Sequence, residues 1–127
     1  ARLASHLGVA SRIDWMGAVP EQAKYDAYAR CLGVLFPPLD EDYGYVTLEA
    51  MLSSKSVITC ADSGGPLEFV VNGETGLVVQ PSPEALAEAM DSLWRDRSRA
   101  AQMGSAARER YAGLGISWDR AIERLLA

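Results

Sequence analysis

The hydrophobic residues of this sequence fall into short apolar runs that alternate with stretches in which apolar residues recur at helical spacing. The apolar runs predict buried strands at residues 33–36, 56–59 and 76–79, with a shorter candidate at residues 13–16. Between them, helical spacing predicts one helix from Pro20 to Cys31, a second from about Val46 to Ser53, and a helix tail at the start that Gly8 closes. Such alternation favours a parallel sheet covered by helices, with ligands at the carboxyl ends of the strands.

The last third of the chain predicts three helices. Ser82 with Pro83 opens the first, Ser98 opens the second, and Ser117 opens the third. Two apolar stripes are expected to face the core, one on the first helix and one on the third: Leu86, Met90, Leu93 and Trp94, and then Trp118, Ile122, Leu125 and Leu126.

Candidate chemistry is concentrated where the strand at 33–36 passes into the next helix. Glu41 and Glu49 stand eight positions apart around Gly44. A strand that ends in a Pro-rich loop and re-enters a helix at a glycine directs unpaired backbone N–H groups to one point, where the helix dipole favours an anion such as phosphate. The two carboxylates can accept hydrogen bonds from sugar and ribose hydroxyls. Residues 16–18 and the turn at 61–65 are expected at the same edge, so that three loops form one cleft.

Composition and charge exclude several other classes. A chain of 127 residues with 49% apolar and 23% charged residues is expected to form one domain. Its net charge of -5, with scattered basic residues, argues against nucleic-acid binding. No apolar stretch approaches the roughly 20 residues of a membrane helix, so direct membrane insertion is not expected. The two cysteines lie in apolar segments, without metal-ligand spacing and without a secretory segment ahead of them, so a reduced, cytoplasmic compartment is expected.

The spacing of the two glutamates carries a family resemblance. Glu41, seven intervening residues and Glu49-Ala50-Met51 resemble the E-x7-E segment of the retaining, group 1 nucleotide-sugar glycosyltransferases, which have the GT-B fold. The resemblance extends over nearly the whole chain, through 7–9, 13–17, 57–58, 63–68, 72–79 and Ser117-Trp118. It implies an α/β, Rossmann-like parallel sheet flanked by helices, truncated at its N-terminal side, with three C-terminal helices.

The resemblance implies a role for each residue of the segment. Glu41 would meet the donor sugar's hydroxyls beside the anomeric carbon, and Glu49 would accept from the ribose hydroxyls. The amides of Gly44, Tyr45 and Val46 would bind the diphosphate or sugar, without a metal or other cofactor.

Further candidates lie in the other two loops. By the same resemblance, the backbone near Met16 and Gly17 would flank the nucleobase. Ser63 and Gly64 are candidates for lining the phosphate pocket, with formation of a turn as the equally weighted alternative.

The domain organisation also follows from the resemblance. Residues 1–127 would be part of the C-terminal donor-binding domain, without its first two strands, its basic phosphate clamp, and the N-terminal domain that binds the acceptor. The isolated chain is therefore expected to bind donor at most. Either residues 13–16 pair directly with 33–36, or the exposed sheet edge associates with a second copy. The absent domain could also attach the parent to the inner membrane face.

Several alternatives stay open. Glu41 could be a nucleophile, could stabilise an oxocarbenium-like centre, or could only orient the sugar, and orientation is favoured. Tyr43 and Tyr45 could stack on a ligand or pack at the strand-to-helix corner. Departures from the family pattern, such as Asp42 in place of the usual glycine, leave the identity of the donor sugar unassigned. The rival functions are a non-catalytic nucleotide-binding module and a structural interaction domain.

Overall fold

The computed structural model describes the backbone of residues 1–127 and all side chains except that of Trp118. Its elements, in chain order, are α1 (Arg2–His6), a 3-10 turn (Ala10–Arg12), α2 (Glu21–Arg30), β1 (Gly33–Leu35), α3 (Tyr45–Leu52), β2 (Ser56–Cys60), α4 (Pro66–Phe69), β3 (Gly76–Val79), α5 (Pro83–Arg95), α6 (Arg97–Leu114) and α7 (Trp118–Leu126). The predicted alternation of strands and helices, and the three C-terminal helices, are confirmed.

The three strands form one parallel sheet in the order β1-β2-β3. Val34 lies opposite Val57, and Ile58 lies opposite Leu77. Because side chains alternate along a strand, Val34 and Val57 contribute to one face of the sheet while Ile58 and Leu77 contribute to the other. The sheet is therefore buried on both sides, which explains why every residue of β2, including the polar Ser56 and Thr59, is buried.

Helices cover both faces. On one face, Ile58 packs with Ala89 and Leu93 of α5 and with Ala100 and Met103 of α6. On the other, Val57 packs with Ala50 of α3, and Tyr28 of α2 lies against the same cluster. A third cluster joins α3, α4 and α6 through Leu48, Met51, Phe69 and Ala107. This α/β layering is the predicted Rossmann-like arrangement.

The candidate strand at residues 13–16 is not formed. These residues are exposed, and none of the described strands pairs with them. An apolar run becomes a strand only where a neighbour accepts its backbone hydrogen bonds, and none lies beside this one. The expected pairing with residues 33–36 is therefore wrong. The outer edge of β1 stays open, and Leu35 is 44% exposed; association with a second copy through this edge stays a prediction.

Two predicted core stripes are also only partly buried. On α5, Leu93 is buried and Leu86 packs against the core, but Met90 and Trp94 are exposed and line a groove beside the open edge of β1. On α7, Ile122, Leu125 and Leu126 are exposed. The predicted inward position of Trp118 concerns a side chain outside the described part of the structure. Helical spacing identified the apolar face in each helix but not whether another element lies on it.

Candidate functional site

Two loops meet at the carboxyl end of the sheet. The loop after β1 pairs with the loop after β2 through an isolated parallel bridge between Glu41 and Gly64. The amide of Glu41 donates to the carbonyl of Ser63 at 3.0 Å, and the amide of Gly65 donates to the carbonyl of Glu41 at 2.6 Å. The expected convergence is thus observed for two of the three loops, and no hydrogen bond among the described residues joins residues 16–18 to them. The sheet positions the backbone of Glu41.

The glycine pair makes this approach possible. A Cβ atom on Gly64 would lie 2.7 Å from the carbonyl oxygen of Glu41, and one on Gly65 would lie 2.7 Å from the carbonyl oxygen of Asp42. Gly64 also has a φ of +73°, a conformation that side chains disfavour. Any larger residue at either position would push the two loops apart.

Helix α3 begins at the same place. Gly44 precedes it with a φ of +76°, and a Cβ there would lie 2.9 Å from Cγ of Pro66. Among the described residues, nothing accepts a hydrogen bond from the amides of Tyr45 and Val46. Unpaired amides at a helix start form a ready site for an anion.

Thr47 adds a polar group that the sequence did not single out. It is fully buried in the first turn of α3, yet its hydroxyl has no hydrogen-bond partner in the part of the chain that the structure describes. Buried hydroxyls are normally paired, because an unpaired one costs about 1–3 kcal/mol. A hydroxyl three residues after the N-cap glycine is the signal that could have identified it.

Glu49 lies farther along α3 and is held by two residues of α2. Its Oε1 accepts from Nζ of Lys24 at 2.7 Å, and its Oε2 accepts from the hydroxyl of Tyr28 at 3.0 Å. The hydrogen bond from the ammonium of Lys24 lowers the pKa of Glu49 by more than burial raises it, and the Tyr28 hydroxyl lowers this pKa further. Conversely, the hydrogen bond to Glu49 raises the pKa of Lys24. Burial, followed by Glu49, raises the pKa of Tyr28. The carboxylate of Glu49 is therefore ionised at neutral pH.

The two carboxylates differ in their surroundings. Glu49 lines a groove on α3 with two neighbouring tyrosines, Tyr43 and Tyr45, whose ring centroids are 5.0 Å apart and whose planes are tilted by 53°. Glu41 is exposed, is not among the residues that line this groove, and makes no ion pair with any described residue. Tyr43 also packs edge-on against Phe69 at 5.4 Å, so packing at the corner accounts for part of its surface. The exposed ring of Tyr45 remains available to a ligand.

The remaining candidate residues from the sequence differ in their burial. Ser63 is fully buried, and its Oγ accepts from the amide of Cys60 at 3.0 Å, which favours its role in forming the turn. Met16 and Gly17 are exposed in the segment before α2, and no hydrogen bond joins them to the two paired loops. Their contact with a nucleobase stays a prediction.

Neither a metal cluster nor a membrane span is found within the described structure. No three His, Cys, Asp or Glu side chains among the described residues lie close enough to hold a metal ion. None of the described helices combines the length and the apolar character that crossing a bilayer requires.

Comparison with known proteins gives consistent matches. The family described as glycosyl transferases group 1 matches residues 1–110. The mouse alpha-1,3/1,6-mannosyltransferase ALG2 is 35% identical over 100 residues, which are 79% of this chain and 24% of that protein. The chain thus spans about a quarter of the length of this relative.

Solved structures agree with the sequence matches. Sucrose-phosphate synthase from Thermosynechococcus elongatus superposes with a TM-score of 0.88 at 28% identity, over 98% of this chain and 31% of that one. Anabaena Alr3699/HepE, solved in complex with UDP-glucose, superposes with a TM-score of 0.77 at 25% identity, over 88% of this chain and 30% of that one.

Proposed function

This chain belongs to the group 1 glycosyltransferases, and from that premise we propose that it binds a nucleoside diphosphate sugar for a retaining transfer to an acceptor. The acceptor would be bound by a further domain of the parent protein, in the biosynthesis of a polysaccharide or glycoconjugate. Because the chain covers about a quarter of ALG2, residues 1–127 are proposed as part of the donor-binding half only. We expect donor binding, without transfer, from this chain alone.

The observation that carries this proposal is the start of α3. The amides of Tyr45 and Val46, which lie in the first turn of this helix, have no hydrogen-bond partner among the described residues. A diphosphate at the helix start would accept hydrogen bonds from the free amides and benefit from the helix dipole. The complex of Anabaena Alr3699/HepE with UDP-glucose supports a ligand of this class.

The same groups would assist the reaction. As the bond between the sugar and the diphosphate breaks, negative charge develops on the leaving phosphate, and fixed donors at the helix start stabilise that charge. Loss of one such donor typically costs about 3 kcal/mol of transition-state stabilisation. No metal is needed for this step in the proposal.

The flanking residues would position the rest of the donor. Glu41, whose backbone is fixed by Ser63 and Gly65, would orient the sugar hydroxyls. Glu49, ionised and held by α2, would accept from the ribose hydroxyls. The backbone near Met16 and Gly17 would flank the base.

Calorimetric titration tests the proposal directly. UDP, GDP and ADP and their sugars would be titrated into the wild type, Glu49→Ala and the control Glu88→Ala, which removes an exposed carboxylate of α5 outside the proposed site. Loss of charge-assisted hydrogen bonds worth about 1.5–3 kcal/mol predicts about ten- to hundredfold weaker binding by Glu49→Ala and none of this loss in the control. Equal binding by Glu49→Ala and wild type would contradict the ribose assignment, and an absence of binding to every nucleotide would contradict donor binding by this chain.

A further inference from the structure

The ion pair between Lys24 and Glu49 is the only one that the structure records among the described residues. The chain has 12 basic and 17 acidic residues, so most charges on its surface are not paired in this way. Lys24 and Tyr28 lie one turn apart on α2 and therefore point from the same side of that helix. Each contacts a different oxygen of the same carboxylate, at 2.7 Å and 3.0 Å.

This arrangement fixes the direction of the Glu49 carboxylate but leaves some of its hydrogen-bond acceptor positions free. A carboxylate has two oxygens and about four acceptor positions, of which Lys24 and Tyr28 use one on each oxygen. Each oxygen retains acceptor capacity, and the side chain of Glu49 is 37% exposed. Without Lys24 and Tyr28, the exposed carboxylate could rotate about its side-chain torsions. With them, both oxygens keep a fixed direction.

The pair is not needed to attach α2 to the rest of the molecule. Lys55, the other lysine of the sequence, donates to the carbonyls of Ala29 and Cys31 at 3.1 and 2.9 Å, at the opposite end of α2. Tyr28 also packs against the cluster of Ala50, Val57 and Val70. Since α2 has these separate attachments, the contact of Lys24 with Glu49 has little to add to its placement.

We propose that Lys24, assisted by Tyr28, is a positioning residue that orients the Glu49 carboxylate toward two adjacent hydroxyls, so that the site distinguishes ribose from 2′-deoxyribose. This inference rests on the proposed function, in which Glu49 meets the ribose. A carboxylate held in one direction accepts from both hydroxyls at once, whereas a mobile one adapts to a single hydroxyl. Lys24 itself makes no contact with the nucleotide in this proposal.

The test compares nucleotides that differ by one hydroxyl. UDP and 2′-deoxy-UDP, and GDP and 2′-deoxy-GDP, would be titrated by NMR into the 127-residue chain, which detects binding into the millimolar range. The variants are Lys24→Met, Lys24→Arg, Tyr28→Phe and the matched control Lys55→Met, which removes the same charge at the other end of α2. The readout is the ratio of dissociation constants, deoxyribose over ribose form.

We expect a ratio of about ten or more for the wild type and for Lys55→Met, because one charge-assisted hydrogen bond is lost with the hydroxyl. The ratio should fall below about three in Lys24→Met, should fall partway in Tyr28→Phe, and should return in Lys24→Arg. A general loss of stability would weaken both nucleotides equally and leave the ratio unchanged.

The outcomes separate this inference from the proposed function. If the wild type discriminates and Lys24→Met discriminates equally, the positioning role is wrong while the ribose contact of Glu49 stands. Tighter ribonucleotide binding by Lys24→Met would also overturn the inference, because Lys24 would then compete with the ligand. If the wild type binds neither form, or binds both equally, the proposed ribose contact itself fails and the inference falls with it.

Discussion

Replacing Gly104 by alanine is the perturbation that most directly tests the packing beneath the site. Gly104 lies inside α6, where it faces the end of α3. In an exposed helix interior, alanine is more stable than glycine by about 1 kcal/mol. At Gly104, however, an added Cβ would lie 2.0 Å from the carbonyl oxygen of Ser54 and 2.7 Å from its carbonyl carbon.

The magnitude follows from that distance. Non-bonded carbon and oxygen atoms normally approach to about 3.5 Å, so α6 and the end of α3 would have to separate by roughly 1.5 Å. The obstructing atoms belong to the backbone and cannot move aside as a flexible side chain would. Overpacking costs about 1–3 kcal/mol, and the upper end applies here. After subtraction of the helix-propensity gain, we expect Gly104→Ala to lower the free energy of unfolding by about 2 kcal/mol.

Gly113→Ala provides the matched control, because Gly113 lies in the same helix and nothing stands within 4 Å of its added Cβ. This variant should raise the free energy of unfolding by about 0.5–1 kcal/mol. Urea denaturation followed by circular dichroism measures both. If Gly104→Ala is as stable as Gly113→Ala, the close approach of α6 to the end of α3 is wrong.

Two further predictions concern the end of α3 and the ion pair. Ser54 has a φ of +57° just after α3, a conformation that glycine adopts more readily than serine, so Ser54→Gly should stabilise the protein by about 1 kcal/mol in thermal denaturation. The control Ser53→Gly, at a φ of -84°, should give no gain in stability. An equal gain from both variants would contradict backbone strain at Ser54. In the folded protein the pKa of Glu49 is lowered and that of Lys24 is raised. The stability that the pair contributes should therefore be complete between the unfolded-state pKa values, about pH 4.3 and 10.4. It should decrease below this window as acid protonates Glu49, and above it as base deprotonates Lys24. The difference in unfolding free energy between wild type and Lys24→Met, measured by denaturation across pH, should therefore shrink below about pH 4. If this difference instead increases as the pH falls, Lys24 and Glu49 do not form a stabilising ion pair.

The sequence predicted those parts of the fold that depend on local chemistry. Gly76–Val79 is a strand as predicted, and Ser82 accepts from the amide of Ala85 as the cap of α5. The short helix α4 was missed because its four residues follow a dense turn signal and carry no helical period. Residues 13–16 were assigned wrongly because strand formation depends on a neighbour, which an apolar run does not reveal.

In the candidate site, the sequence likewise predicted the local features but not the contacts between distant residues. The spacing of Glu41, Gly44 and Glu49 predicted a helix start between two carboxylates, and the structure has that order. The contacts of Lys24 and Tyr28 with Glu49 join residues 25 and 21 positions apart, so no local pattern indicates them. The unpaired state of Thr47 likewise depends on what the fold places around it.

The bridge between Glu41 and Gly64 links the stiffness of the site to that of the sheet. Because each loop holds the other through backbone hydrogen bonds, neither can open without breaking the other's amide contacts, and the two behave as one cooperative unit. A donor would then meet a surface whose shape is already set, and would lose little affinity to ordering of these loops on binding.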